Sequence, residues 1–121
     1  MAVLALPIAG TKARADQACI MLNAQQAETR VHVELSASEP EKAYCIRARK
    51  RQNWRAGISN AQGVEPSGRV ISPGGKMDGG PGGPFYRGEL RESGIYRIEA
   101  SQRGHKRAGS YDLTIEITPP R

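Results

Sequence analysis

The 121-residue chain has few of the residues on which enzymes build an active site, with only two histidines and two cysteines. Neither His32 nor His105 lies near a nucleophile motif such as Gly-x-Ser-x-Gly, so a base-activated serine or cysteine has no recognisable frame. There is no Cys-x-x-Cys, which argues against a zinc site or a redox dithiol. Gly74-Gly75-Lys76 lacks the full Gly-x-x-x-x-Gly-Lys-Ser/Thr pattern of a phosphate cradle. Acidic residues are scattered and not paired. These absences point away from an enzyme and from any metal or other cofactor. No apolar run approaches the roughly 20 residues of a membrane-spanning helix. Neither zinc-finger spacing nor an aromatic-basic RNA motif occurs, so no membrane or nucleic-acid partner is expected. Aromatic residues are also scarce, with one Trp, one Phe and four Tyr.

Turn formers and positive charge are plentiful: Gly 14, Pro 8 and a formal net charge of +6. The charge suits an anionic partner without choosing one. Alternation of period two, the mark of a half-buried strand, recurs along the chain. Val31, Val33 and Leu35 share one face, as do Tyr44, Ile46 and Ala48, then Trp54, Ala56 and Ile58. Tyr96, Ile98 and Ala100 repeat the pattern, and Tyr111, Leu113, Ile115 and Ile117 give its longest run. Residues 59–67 read as a loop. Pro73 to Pro84 is so rich in glycine and proline that it reads as one long mobile loop. Seven to eight short strands with no convincing helix predict an all-β fold, a small antiparallel sandwich or flattened barrel. Residues 93–111 read as a β-hairpin with a basic tip. Charge at such a tip commonly serves only solubility.

Residues 1–10 form a short apolar run, and Ala13-x-Ala15 before Asp16 has the small-residue form of a cleavage site. Residues 1–15 are therefore expected to be a signal peptide, truncated or mis-started, and 16–121 a single domain. The alternative is an N-terminal strand that stays with the domain. In an exported protein Cys19 and Cys45 would form one disulfide, stabilising by roughly 3 kcal/mol in the chain-entropy model. Cys45 lies off the inferred core face of its strand, which suits such a bridge. Periodicity leaves Cys19 to Leu22 open between helix and strand.

Several short motifs resemble the bacterial periplasmic lysozyme inhibitors, most closely those of goose-type lysozyme. They are Ala43-Tyr44, Ala48-Arg49-Lys50 with Gln52, Val70-Ile71-Ser72-Pro73-Gly74, Ser93-Gly94-Ile95-Tyr96, and Arg103 with Arg107. Arg51 stands where the family's Ala-x-x-Gly-Gln segment carries glycine. The resemblance implies a periplasmic or secreted β-sandwich, a strand at Cys19 to Leu22, and lysozyme as partner. It further implies that Ser93, Gly94 and Tyr96 plug the substrate cleft, with Arg103 and Arg107 as charged flank. Arg97 and Lys106 are expected to be solvated charge. The competing reading is a non-inhibitory envelope module that binds glycan or another anionic partner.

Overall fold

A computed structural model describes residues 19–23, 28–81, 84–104 and 106–119. The expected signal segment, residues 1–15, and His105 lie outside the described residues. Within these bounds there are nine strands and no helix: β1 (Ile20–Met21), β2 (Glu28–Leu35), β3 (Lys42–Ala48), β4 (Asn53–Gln62), β5 (Glu65–Ile71), β6 (Met77–Pro81), β7 (Pro84–Glu89), β8 (Gly94–Arg103) and β9 (Gly109–Thr118). One sheet has the order β1-β3-β8-β5-β6 and the other β2-β9-β4-β7. The all-β sandwich expected from the alternation is what forms.

Its inner faces are the apolar stripes of the sequence. Tyr44, Ile46, Val70, Tyr96, Ile98 and Ala100 of the first sheet meet Val33, Leu35, Trp54, Ala56, Tyr111, Leu113 and Ile115 of the second. Each large aliphatic side chain buried there contributes about 1.5–3 kcal/mol. Cys45 is fully buried yet stands outside this cluster, on the other face of β3. Its disulfide to Cys19 forms with a Cα–Cα distance of 5.8 Å. The bridge holds β1 as a strand along the edge of β3, in a parallel pairing that the sequence pattern had not suggested.

Four expectations need correction. Residues 93–111 are not a hairpin: β8 pairs with β3 and β5, whereas β9 pairs with β2 and β4. Both strands carry a complete apolar face, and the two faces meet across the core instead of side by side. Residues 59–67 are mostly strand, with β4 running to Gln62 and β5 starting at Glu65. The glycine-rich stretch contains β6, which pairs with β5 from Ser67↔Pro81 to Ile71↔Met77. It does so at the sheet edge, where proline and glycine are tolerated. Arg97 is only 13% exposed and bonds Glu99 at 2.9 Å, so it is not solvated charge.

Candidate functional site

The Ser93-Gly94 turn is where three connections of the sandwich lock together. The 90–93 segment meets the 49–52 turn through three hydrogen bonds, each of 2.8 Å. Lys50 N donates to Ser93 Oγ, Arg51 N to the Leu90 carbonyl, and Leu90 N to the Gln52 carbonyl. On its other side the segment meets the 72–76 turn. Gly94 has φ +143°, and a Cβ there would sit 3.0 Å from Pro73 Cγ, so both conformation and space require glycine.

Tyr96 completes the lock from inside. Its hydroxyl donates to the Glu92 carbonyl at 2.6 Å and accepts from Glu92 N at 3.3 Å. Its ring is 2% exposed and lies 5.1 Å from that of Trp54, tilted by 45°. Burial pushes the phenol pKa up, and the Glu92 backbone bond only partly offsets this. Tyr96 is thus a protonated donor fastening its own upstream loop, an arrangement familiar from β-sandwich corners. Tyr111 is fastened likewise, donating to the Ser101 carbonyl at 2.8 Å.

The 49–52 turn closes on itself. Gln52 N donates to the Arg49 carbonyl at 3.2 Å, and Arg49 N to Gln52 Oε1 at 2.9 Å. Its third residue, Arg51, has φ +80°. A four-residue turn with positive φ at that position favours glycine or asparagine. This is the physical sense of the glycine that the resembling segment carries there.

The locked end displays five cations, with Glu89 and Glu92 beside them. Arg49, Lys50, Arg51, Lys76 and Arg91 are all exposed. Among the described residues the acidic side chains that form ion pairs do so elsewhere: Glu28 with Arg30, Glu39 with Lys42, Glu34 and Asp112 with His32, Glu116 with Arg55, and Glu99 with Arg69 and Arg97. None of the five displayed cations has an acidic partner there. None of the five is among the site residues expected from the sequence. Three consecutive cations, Arg49 to Arg51, between two alternating strands were the available signal.

Arg103 and Arg107 lie at the opposite end. β8 runs ten residues from Gly94 to Arg103, which at about 3.3 Å per residue separates the two ends by about 30 Å. The two arginines therefore do not flank the Ser-Gly turn, because β8 is one uninterrupted central strand. Gln102 ties Arg107 back to the end of β8. Gln102, the one buried polar residue of the described core, donates from Nε2 to the Arg107 carbonyl at 3.0 Å. Its Oε1 accepts from Arg107 N at 2.9 Å.

Two concavities lie among the described residues. A recess of about 90 Å³ between Ser72, Lys76, Arg91 and Tyr96 is far below the size of ordinary ligand pockets. A shallow groove of about 490 Å³ runs over Asn53, Arg55, Arg87 and Glu116 on the second sheet. Among the described residues no group of three or more His, Cys, Asp or Glu side chains is arranged to hold a metal.

No family model and no curated protein matches the sequence. Solved structures do. The PliG periplasmic inhibitor of g-type lysozyme from Aeromonas hydrophila superposes with a TM-score of 0.67 at 16% identity, over 83% of this chain and 96% of its own. PliG from Salmonella Typhimurium gives 0.64 at 18% identity, over 82% and 96%. The pre-peptidase C-terminal domain of a Bacillus anthracis collagenase gives 0.65 at 11% identity, over 88% and 100%. The chain thus has the β-sandwich fold of the periplasmic inhibitors of g-type lysozyme, and it shares that fold with a collagenase domain as well.

Proposed function

We propose that this protein is a periplasmic or secreted inhibitor of lysozyme, with goose-type lysozyme as the favoured target. One observation carries the reading: the inhibitors' sandwich here ends in a hydrogen-bonded, exposed, cationic set of loops. A lysozyme cleft contains catalytic carboxylates and sugar-binding polar groups. Guanidinium forks on a pre-ordered loop pair with carboxylates in two-pronged fashion and lose little freedom in doing so. Blocking by occupancy needs no covalent step. In this proposal the Ser93-Gly94 end enters the cleft. Ser93, Gly94 and Tyr96 set the shape of the loops, and the flanking cations make the contact.

Activity assays on goose-, chicken- and invertebrate-type lysozymes test the reading, with goose-type inhibition expected at or below micromolar protein. Full activity of all three would overturn it. Arg49→Glu with Arg91→Glu should weaken inhibition at least about tenfold, and Arg103→Glu with Arg107→Glu less than about threefold. The reverse pattern would move the contact to the β8–β9 loop.

The groove over Asn53, Arg55, Arg87 and Glu116 favours a second reading, a non-inhibitory module for glycan or another anionic partner. Retention on peptidoglycan that leaves every lysozyme active would select it.

A further inference from the structure

The structure assigns to Arg51 the role of specificity-determining contact with an acidic cleft, a role that rests on the inhibitor reading above. Arg51 adopts φ +80°, whereas most positive-φ positions described here, Gly63, Gly75 and Gly104 among them, are glycines. A long β-carbon-bearing side chain is disfavoured in this conformation, and such outliers persist where the surroundings over-determine them and often mark functional positions. The surroundings here do over-determine it. Arg51 N is held by the Leu90 carbonyl at 2.8 Å, and both neighbours of the turn are held too, Lys50 N by Ser93 Oγ and Gln52 N by the Arg49 carbonyl.

Among the described residues nothing accounts for the side chain. Arg51 is exposed, and among the described residues its guanidinium has no ion pair or hydrogen bond. Glycine would satisfy every backbone bond at this position, since each uses main-chain atoms of residue 51. The arginine is thus unfavourable for the backbone and unused by the core. Its planar fork, carried at the apex of a hydrogen-bonded turn, suits a carboxylate recessed in a partner's cleft.

Opposite effects on stability and on binding make the test. Arg51→Gly and Arg51→Asn, both compatible with the left-handed turn, are compared with wild type by thermal unfolding and by inhibition of goose-type lysozyme. The expected result is a Tm unchanged or raised by up to about 4 °C, with inhibition weakened at least about tenfold. Arg51→Lys, which keeps the charge and loses the fork, should fall between. Equal potency of Arg51→Gly and wild type would overturn the inference while leaving lysozyme inhibition intact. A clear fall in Tm for both variants would overturn it too, by making Arg51 structural. Absence of inhibition by wild type would instead overturn the reading on which it rests.

Discussion

Replacing Tyr96 by phenylalanine removes one oxygen and leaves the ring against Trp54. That oxygen makes two contacts with one residue, donating to the Glu92 carbonyl at 2.6 Å and accepting from Glu92 N at 3.3 Å. A neutral hydrogen bond contributes about 1 kcal/mol net, and a partly buried carbonyl left without a donor adds about as much again. Tyr96→Phe should therefore cost about 1–2 kcal/mol, a 5- to 30-fold change in the folded-to-unfolded ratio. Urea unfolding would show this as a lower midpoint with unchanged slope. The loss should be local first. Lys50 and Arg51 donate their amide protons to the 90–93 segment, so their exchange with solvent should quicken by a comparable factor. Inhibition should change by less than about threefold, because the ring is 2% exposed and meets no partner. An unchanged urea midpoint would refute the hydroxyl's fastening role. A potency loss above about 30-fold at unchanged stability would refute the buried placement, since only direct contact with the enzyme could produce it.

Other expectations follow from the same geometry. The Cys19–Cys45 bridge spans a sequence separation of 26, which the chain-entropy model converts to about 3.5 kcal/mol. Cys19→Ala with Cys45→Ala should lower urea stability by about that amount, and a loss under about 1 kcal/mol would show that the bridge is dispensable. Alkaline pH should unfold the protein. Burial raises the pKa of Tyr111, Tyr96 and Tyr44 above the ordinary tyrosine value of 10.0. The folded state holds those protons more tightly, so their contribution is complete below pH 10 and is lost as pH rises past it. Tm measured from pH 8 to 11.5 should fall in the upper part of that range. The fall should be shallower in Tyr111→Phe, and a flat profile would refute the assignment.

Much of the sandwich was legible because its strands declare themselves by period two. β2, β3, β8 and β9 each carry three or more inward apolar residues in strict alternation, and each forms close to where the pattern puts it. Partnership was not legible. The alternation of Tyr96-Ile98-Ala100 and Tyr111-Leu113-Ile115 is the same whether two strands lie side by side or face each other across a core. A hairpin and a sheet crossing are therefore indistinguishable from pattern alone. β6 was hidden for a different reason: its residues, Met77-Asp78-Gly79-Gly80-Pro81, have no strand preference, and backbone pairing to β5 alone makes it a strand. At the site, a short motif singles out Ser93 and Gly94 but does not show the contacts they make inside the fold. A serine that accepts a backbone amide 43 residues away cannot be told from one that faces solvent. Arg51's left-handed backbone was equally invisible, because only a glycine would have announced it.

Nearly every connection in this molecule passes from one sheet to the other. β3 leads into β4, β7 into β8 and β8 into β9 across the core, and among the described strands β5–β6 is the one pair of sequence neighbours that also hydrogen-bond to each other. Glu28 finds its partner in Glu116, near the far end of the chain. A nascent chain therefore has almost no local pairing to nucleate on, and loop closure must come before most contacts form. Most pairing is between strands distant in sequence, so folding should be slow. In an oxidising compartment the Cys19–Cys45 link would tether the first edge strand to β3 while the distant partners, β8 and β9, are still being awaited.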